Sequence, residues 1–306
     1  MTKSKIAVLG ATGKIGFSTA SALRRADVPV RAIARDATKT NPLRMLGCEV
    51  GFADLQDPVS LSKEIAGANA VQILLPPPPL AEDTEAEMRR VTESLVQALE
   101  EVKPDRVVAI SDYGAHVGKG VGMPYMFHLF ENRLRQLDTD TVLVRSAEHI
   151  EGWAPFIPGA IATGVLPSFH HPVDAEFPTV SAPDVGLITA DLLRGATAGS
   201  SQVIHVEGPR RYSANHVAAS LSQVVGRTVI AGALPRSQWQ EILMSSLSES
   251  AAQLVIDVYD AHNKGGLVDI EPDGGDVRYG ATELIDALRP LVHAVTNKAN
   301  TLSEKY

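Results

Sequence analysis

Residues 5–16 read Lys5-Ile6-Ala7-Val8-Leu9-Gly10-Ala11-Thr12-Gly13-Lys14-Ile15-Gly16, an apolar β-type run that breaks into a glycine-rich turn and passes into a helical pattern. Strand, glycine turn and helix in that order are what a dinucleotide-binding unit requires. Each glycine has its own task. Gly10 permits the tight turn, Gly13 lets the backbone approach a pyrophosphate, and Gly16 allows the helix to pack closely on the strand, with the helix N-terminus facing the anion. The spacing is GxxGxxG rather than GxGxxG, and a glycine pattern alone also suits a merely structural turn, so the flanking strand and helix carry the inference. Gly10, Thr12, Gly13, Lys14, Ile15 and Gly16 are the candidate cofactor loop.

Outward from this turn, short β-branched runs alternate with amphipathic stretches, the pattern of βαβ units and a mostly parallel sheet. The helix after the turn is expected over 14–26, with Ile15, Ala22, Leu23 and Ala26 on one face. Further strands are expected at 29–34, 48–53, 70–75, 106–110 and 141–144. The clearest helix is 81–101, where Met88, Val91, Leu95 and Leu99 recur at helical spacing. After Ile150, five prolines (Pro155, Pro158, Pro167, Pro172, Pro178) punctuate a stretch with little helical periodicity, which reads as a loop-rich crossing. Pro183-Asp184 opens a helix to about Arg194, a strand follows at 202–206, Ser213 caps a helix ending near Gly226, and Pro235 opens another. The expected fold class is α/β: a Rossmann-type doubly wound parallel sheet with a smaller, mostly helical C-terminal substrate domain. Its boundaries are expected at 1–152 plus about 180–206 for the NAD(P)-binding domain, and 153–179 with 207–306 for the substrate-binding part.

Composition bounds the function. The 306 residues are 44% hydrophobic and 21% charged, ordinary for a globular chain with a sizeable core. Lys and Arg total 28 against 36 Asp and Glu, a formal charge of -8 that disfavours nucleic acid as a partner. A single cysteine, Cys48, with no signal segment and no long apolar run, points to a soluble, cytoplasmic protein without membrane contact. A small-molecule substrate is the expected partner, and a homodimer is left open. No HExxH or CxxC pattern suggests a metal, and no GxSxG elbow suggests a hydrolase. The nucleotide type is read at the end of the second strand, where an acid would bind the ribose 2′-hydroxyl and an arginine a 2′-phosphate. Arg35 therefore favours NADP(H), helped by Lys14 and Lys39, while Asp36 beside it leaves room for NAD(H).

The glycine turn, Val30 to Asp36, Ala53-Asp54-Leu55, Arg106 to Ser111, Val142 to Arg145, Thr179 to Gly186 and Lys264-Gly265-Gly266-Leu267 together resemble the NmrA-like group of atypical short-chain dehydrogenases/reductases. The resemblance covers most of the chain, and the small NADPH-dependent quinone reductases look most similar in layout. It implies that Asp54 and Leu55 lie by the adenine, that Leu74 to Pro77, including Leu75 and Pro76, run along the cofactor, and that Ser111 to Tyr113 end near the nicotinamide. Some members of the group bind nucleotide without known turnover and act as redox-linked regulators.

The Tyr and Lys pair of ordinary short-chain reductases is missing: Leu129 stands four residues after Tyr125, and no Lys occurs between Lys119 and Lys264. Proton chemistry must use other groups. His128, three residues before Glu131 on one helical face, is a candidate donor or a satisfied half-buried histidine. Tyr113 offers a hydroxyl for a carbonyl or quinone oxygen, or serves as a lid. Glu148 and His149 follow the sixth strand at the same sheet edge and suit acid/base work. His170 and His171 either line the substrate pocket or are simply solvated, and Trp153, Trp239, Phe127, Phe130, Phe156 and Phe169 form a pocket wall or ordinary core. The leading expectation is an NADPH-dependent oxidoreductase reducing a quinone or conjugated carbonyl. A non-catalytic NADP(H) sensor, and a non-redox isomerase, lyase or cyclase on a reductase scaffold, are the rivals.

Overall fold

The computed structural model describes residues 5–195, 202–271 and 274–303, with side chains to residue 297. The opening stretch forms β1 (Ile6–Leu9) and, past the glycine turn, α1 (Lys14–Arg25). Strands and helices then alternate: β2 (Val30–Ala34), α2 (Asn41–Met45), β3 (Glu49–Phe52), α3 (Pro58–Ile65), β4 (Ala70–Leu74), α4 (Thr84–Val102), β5 (Arg106–Asp112), α5 (Met123–Leu134) and β6 (Asp140–Ser146). Asp57 and Asp83 start α3 and α4 by accepting from backbone amides two or three residues on, which satisfies donors that a helix end leaves orphaned. The second half adds β7 (Glu148–His149), α6 (Ile157–Thr163), β8 (Val165–Ser168), β9 (Thr179–Val180), α7 (Ala182–Arg194), β10 (Gln202–Glu207), α8 (Ala214–Val225), β11 (Ile230–Ala233), α9 (Trp239–Met244), α10 (Glu249–Lys264), β12 (Asp276–Tyr279) and α11 (Leu284–Ser303).

Eight strands form one sheet in the order β12-β10-β6-β5-β4-β1-β2-β3, and every described pairing is parallel. β1 and β6 are buried along their whole length and β5 everywhere but its last residue, as strands covered by helices on both faces must be. One layer of the core gathers α1 and α7, and the opposite layer gathers α3, α4 and α5. The strand order reverses between β1 and β4, the place where an open α/β sheet opens a ligand crevice beyond its carboxyl ends. A third apolar cluster, with Ile157, Leu166, Val217, Leu221 and Leu288, joins α6, β8, α8 and α11 into a smaller body beside the sheet.

The fold is the expected Rossmann-type α/β arrangement, with three differences. The buried face of α1 is Gly16, Thr19, Ala20 and Leu23, while Ile15 and Ala22 are half-buried and Ala26 is exposed. The reason is α7, which crosses α1 so closely that a Cβ on Gly186 would collide with the carbonyl of Ile15. Small residues, rather than the largest ones, hold that crossing: Ser18 Oγ donates to the Pro183 carbonyl at 2.7 Å and Thr19 Oγ1 to the Gly186 carbonyl at 3.1 Å. The proline-rich stretch after Ile150 is also more ordered than a loop-rich crossing. Pro158 occupies the first turn of α6, where its missing N–H costs nothing, and β7 pairs with β9 and β8 with β11. Finally, β12 returns from the mostly helical second part to complete the large sheet. Its four residues are exposed at both ends and half-buried between, so the edge strand leaves no apolar run to read. Among the described residues no helix is long and apolar enough to cross a membrane.

Candidate cofactor and substrate site

The glycine turn is built as its sequence requires. Gly10 has φ of +67°, and a Cβ there would collide with Leu74 on β4. A Cβ on Gly16 would collide with the Gly10 carbonyl and come within 2.8 Å of Ala11 Cα, so α1 sits on the turn as only glycine permits. No side chain caps α1, and its first amides face the crevice.

A cleft of about 560 Å³ opens there. Gly10, Thr12, Gly13, Lys14, Ile15 and Gly16 form its floor, and Arg35, Asp36 and Lys39 its rim past β2. Ala53, Leu55, Leu74 and Pro76 make an apolar wall, and His149, Glu151, Gly152 and Ala182 close its far end. Asp36 is committed locally. One carboxylate oxygen accepts from the Thr38 amide (2.8 Å) and hydroxyl (2.7 Å), and these bonds hold its pKa below the usual value. Arg35, Lys39 and Lys14 are exposed at the same cleft. Glu151 accepts from Ser181 Oγ (3.3 Å) and the Ala182 amide (3.0 Å), fixing the start of α7 against the far end.

Three of the expected cofactor residues point elsewhere. Asp54 accepts from the Gln56 amide at 2.9 Å in a local turn, so its neighbours Ala53 and Leu55 line the cleft instead. Leu75 is buried in the core against α4, while Leu74 and Pro76 face the cleft, as alternation along an extended chain dictates. Ser111 is buried and donates to Glu131 Oε1 at 2.7 Å. It supports a buried pair in which Glu131 accepts from Arg145 at 2.7 and 2.9 Å. Burial raises the Glu131 carboxyl, but the bonds from Arg145 and Ser111 outweigh it and hold the group ionised.

Of the expected catalytic residues, Tyr113 and His128 lie off the cleft. Tyr113 is buried, its hydroxyl donates to Glu207 Oε1 at 3.2 Å, and its ring meets His205 edge-on. Burial and the Glu207 carboxylate push its pKa above the ordinary phenol value, which is the opposite of an activated tyrosine. His128 has both ring nitrogens engaged: Nδ1 donates to the Ala115 carbonyl and Nε2 accepts from the Asn132 amide, each at 2.9 Å. His149 and Glu148 stand at the far end, as their position after β6 suggested. His149 lines the cleft, its Nε2 shares a 2.9 Å hydrogen bond with Ser146 Oγ, and burial lowers its pKa.

Glu148 opens a second group of residues. His170 Nε2 donates to its Oε2 at 3.0 Å, His262 Nε2 lies 3.9 Å from the same oxygen, and the Tyr259 hydroxyl is directed at the carboxylate. Burial alone would raise the Glu148 pKa, yet His170, His262 and His149 hold it below the usual value. Burial drives His262 down to about 4. His170 is itself buried rather than solvated and stacks on Phe177 with ring centres 3.5 Å apart. His171 is exposed, and its amide donates to Asn263. Trp153, Phe156, Phe169 and Trp239 join this aromatic cluster, whereas Phe130 belongs to the core beneath α5. Among the described residues no cluster suited to a metal ion occurs. Tyr259 and His262 were missed by sequence reasoning. The available signal was their spacing of three on an otherwise apolar face of α10.

Comparison with known proteins agrees with this geometry. A family model described as NAD(P)H-binding matches residues 10–149. The chain is 23% identical over 256 residues to an NAD(P)H azoreductase of Xenophilus azovorans, covering 83% of this chain and 86% of the relative. Among solved structures it is similar to an NADPH-dependent quinone oxidoreductase from Escherichia coli complexed with NADPH, with a TM-score of 0.72, 20% identity, and 96% and 99% of the two chains covered. It is also similar to a mutant of NmrA, with a TM-score of 0.72, 18% identity and 98% of each chain covered. Residues 10–149, from the glycine turn to the histidine at the far end of the cleft, thus match an NAD(P)H-binding family model, and the chain has a Rossmann-type fold similar to those of NmrA and that quinone oxidoreductase.

Proposed function

We propose that the chain reduces a planar, conjugated small molecule, a quinone above all, with NADPH. The observation that carries this reading is the continuity of the site: the cofactor cleft ends at His149, and Glu148 beside it enters a cluster of aromatic and histidine side chains with His170, Tyr259 and His262. In this reading the turn amides and Lys14 hold the pyrophosphate, Arg35 and Lys39 hold the 2′-phosphate, and Ala53 and Leu55 cover the adenine. NADPH is favoured over NADH because Asp36, the acid that would take a ribose 2′-hydroxyl, is bonded to Thr38. The cofactor supplies hydride when bound, while the aromatic walls orient the acceptor and exclude water. The azoreductase and the quinone oxidoreductase are named for reductions of conjugated acceptors, which supports the choice of substrate class. The division of labour follows. Residues 1–152 with about 180–206 bind the nucleotide, and 153–179 with 207–306, apart from the β12 contribution to the sheet, form the substrate side.

Steady-state loss of the reduced-nicotinamide absorbance with a panel of benzoquinones, naphthoquinones and azo dyes tests this reading. One equivalent of NADPH consumed per quinone reduced is the expected result. Tight NADPH binding without consumption by any acceptor would overturn it in favour of a nucleotide sensor, the reading that the fully engaged Tyr113 and His128 also suit.

A further inference from the structure

β6 ends at Ser146, and β7, two residues on, pairs with β9 so that His149 stands opposite Val180. There the His149 ring lines the far end of the cofactor cleft with Glu151, Gly152 and Ala182. Ser146 is buried, and its Oγ makes two hydrogen bonds: one donated to the Ala147 carbonyl at 3.1 Å, and one at 2.9 Å shared with His149 Nε2. A hydroxyl has a single hydrogen to donate. With that hydrogen on the Ala147 carbonyl, Oγ accepts from Nε2–H, and the neutral ring carries its lone pair on Nδ1. Among the described residues Nδ1 has no hydrogen-bond partner, and it is not sealed from solvent.

The two ring nitrogens are therefore unlike. Nε2–H is bonded to Ser146 in the neutral ring and in the imidazolium alike, because both forms carry that hydrogen. Nδ1 can gain or lose a proton without breaking any bond to the chain. One nitrogen oriented and the other free is the arrangement that proton transfer by histidine requires. His128 lacks it, with both nitrogens engaged, and His170 is committed to Glu148 through Nε2. The charged groups that face the His149 ring are Glu151 from the turn after β7, its neighbour Glu148, and Lys14 at the start of α1, while Val180 on β9 and Ala182 on α7 do not titrate. Burial lowers the ring's pKa against the pull of the two carboxylates, and Lys14 adds to the fall.

We infer that His149, acting through Nδ1 at the end of the cleft, is the proton donor of the reduction proposed above, and that Ser146 is the positioning residue that fixes its tautomer. The inference rests on that reductase reading. As the acceptor takes hydride, negative charge develops on its oxygen. The Nδ1–H bond of the imidazolium breaks, the proton passes to that oxygen, and the bonding pair stays on Nδ1 of the now neutral ring. One hydride and one proton convert quinone to hydroquinone, and solvent then returns a proton to Nδ1. This removes the need for a Tyr and Lys pair.

The test uses the full chain and the variants His149→Gln and Ser146→Ala. It reads turnover against pH with a benzoquinone, which needs hydride and a proton, and with a cationic triphenylmethane dye, whose central carbon takes hydride and needs no proton. NADPH affinity is read by calorimetry, and the His149 ring by nitrogen NMR of labelled histidine, with its signals assigned from His149→Gln. Wild-type quinone turnover should rise as pH falls through a midpoint below the ordinary histidine value of 6.5, because the imidazolium is the active form. His149→Gln should lower quinone turnover about 100-fold and abolish that limb, while dye turnover and NADPH affinity change less than about threefold. The neutral wild-type ring should carry its proton on Nε2, and Ser146→Ala should spread it over both nitrogens. A limb that persists in His149→Gln, or a neutral ring protonated on Nδ1, would overturn the assignment. Equal losses with quinone and dye would do the same, leaving His149 a cofactor contact only. The wild-type profile needs no variant and so survives misfolding of either: quinone turnover independent of pH between about pH 5 and pH 8 would by itself overturn the donor role. Failure of the wild-type chain to oxidise NADPH with any acceptor would instead overturn the reductase reading itself.

Discussion

In the proposed reading Arg35 carries the nucleotide preference. It stands on the cleft rim with Lys39, while Asp36, the competing acid, is tied to Thr38. Hydrogen bonds to a charged group contribute about 1.5–3 kcal/mol, so Arg35→Glu should weaken NADPH on the order of 10–100-fold while leaving NADH nearly unchanged. Equal losses for the two nucleotides in calorimetric titration would remove Arg35 from the phosphate site. The errors of sequence reasoning also lie at this scale, and they share a cause. The segments ending at the cleft were legible, but not which residue of each faces it. Leu75 was favoured together with Pro76, although Leu75 is buried and it is Leu74 and Pro76 that line the cleft, and Ser111 and Tyr113 were favoured although both are buried and Asp112 between them is half-buried. Extended chain has a period of two, so a frame error of one residue inverts every side chain. Nothing in a short apolar run fixes that frame.

At the scale of elements, the glycine turn and the two crossings beside it depend on missing side chains. Gly16→Ala places a methyl against the Gly10 carbonyl and Ala11, an overpacking that costs about 1–3 kcal/mol. Urea denaturation should show that loss, and NADPH binding should weaken with it because the α1 amides move. Unchanged stability would mean that the helix can slide without penalty. Strands β1 to β6 and helices α1, α4, α7 and α8 were legible because continuous apolar strands, helical periodicity and capping residues all agree there. β7, β8, β9, β11 and β12 were not, since two to four residues with mixed exposure carry no period. His170 is brought to Tyr259 and His262 only by tertiary packing, which no local pattern announces.

Across the whole molecule, two arginine clusters, a buried one at Arg145 and a half-buried one at Arg211, tie the segment after α10 to the sheet. Arg145 on β6 bonds Glu131 and reaches Glu271 at 2.8 Å, and Arg211 bonds both Glu207 on β10 and Asp269. Removing one partner of a buried ion pair leaves a charge uncompensated, so Arg145→Ala should destabilise the fold by about 3–5 kcal/mol in equilibrium unfolding. A change below 1 kcal/mol would show that Glu131 finds other solvation. Asp112 bears on stability. Its carboxyl titrates at about 7 in the folded chain against the usual 3.8, so the folded state holds an extra proton between those values. The associated stability is present at low pH and is lost as pH rises through about 7. Asp112→Asn should therefore gain in Tm relative to wild type between about pH 5 and pH 8, and a constant difference would place the Asp112 midpoint elsewhere.

The central claim is that the cleft from Gly10 to His149 is built around a nucleotide bearing a 2′-phosphate. Calorimetric titration of the unmodified chain with NADPH and then NADH tests it most directly. The account predicts one site per chain and an NADPH affinity at least about tenfold above that for NADH, in line with a charge-assisted contact at Arg35. Equal affinities, or binding of neither nucleotide, would contradict it.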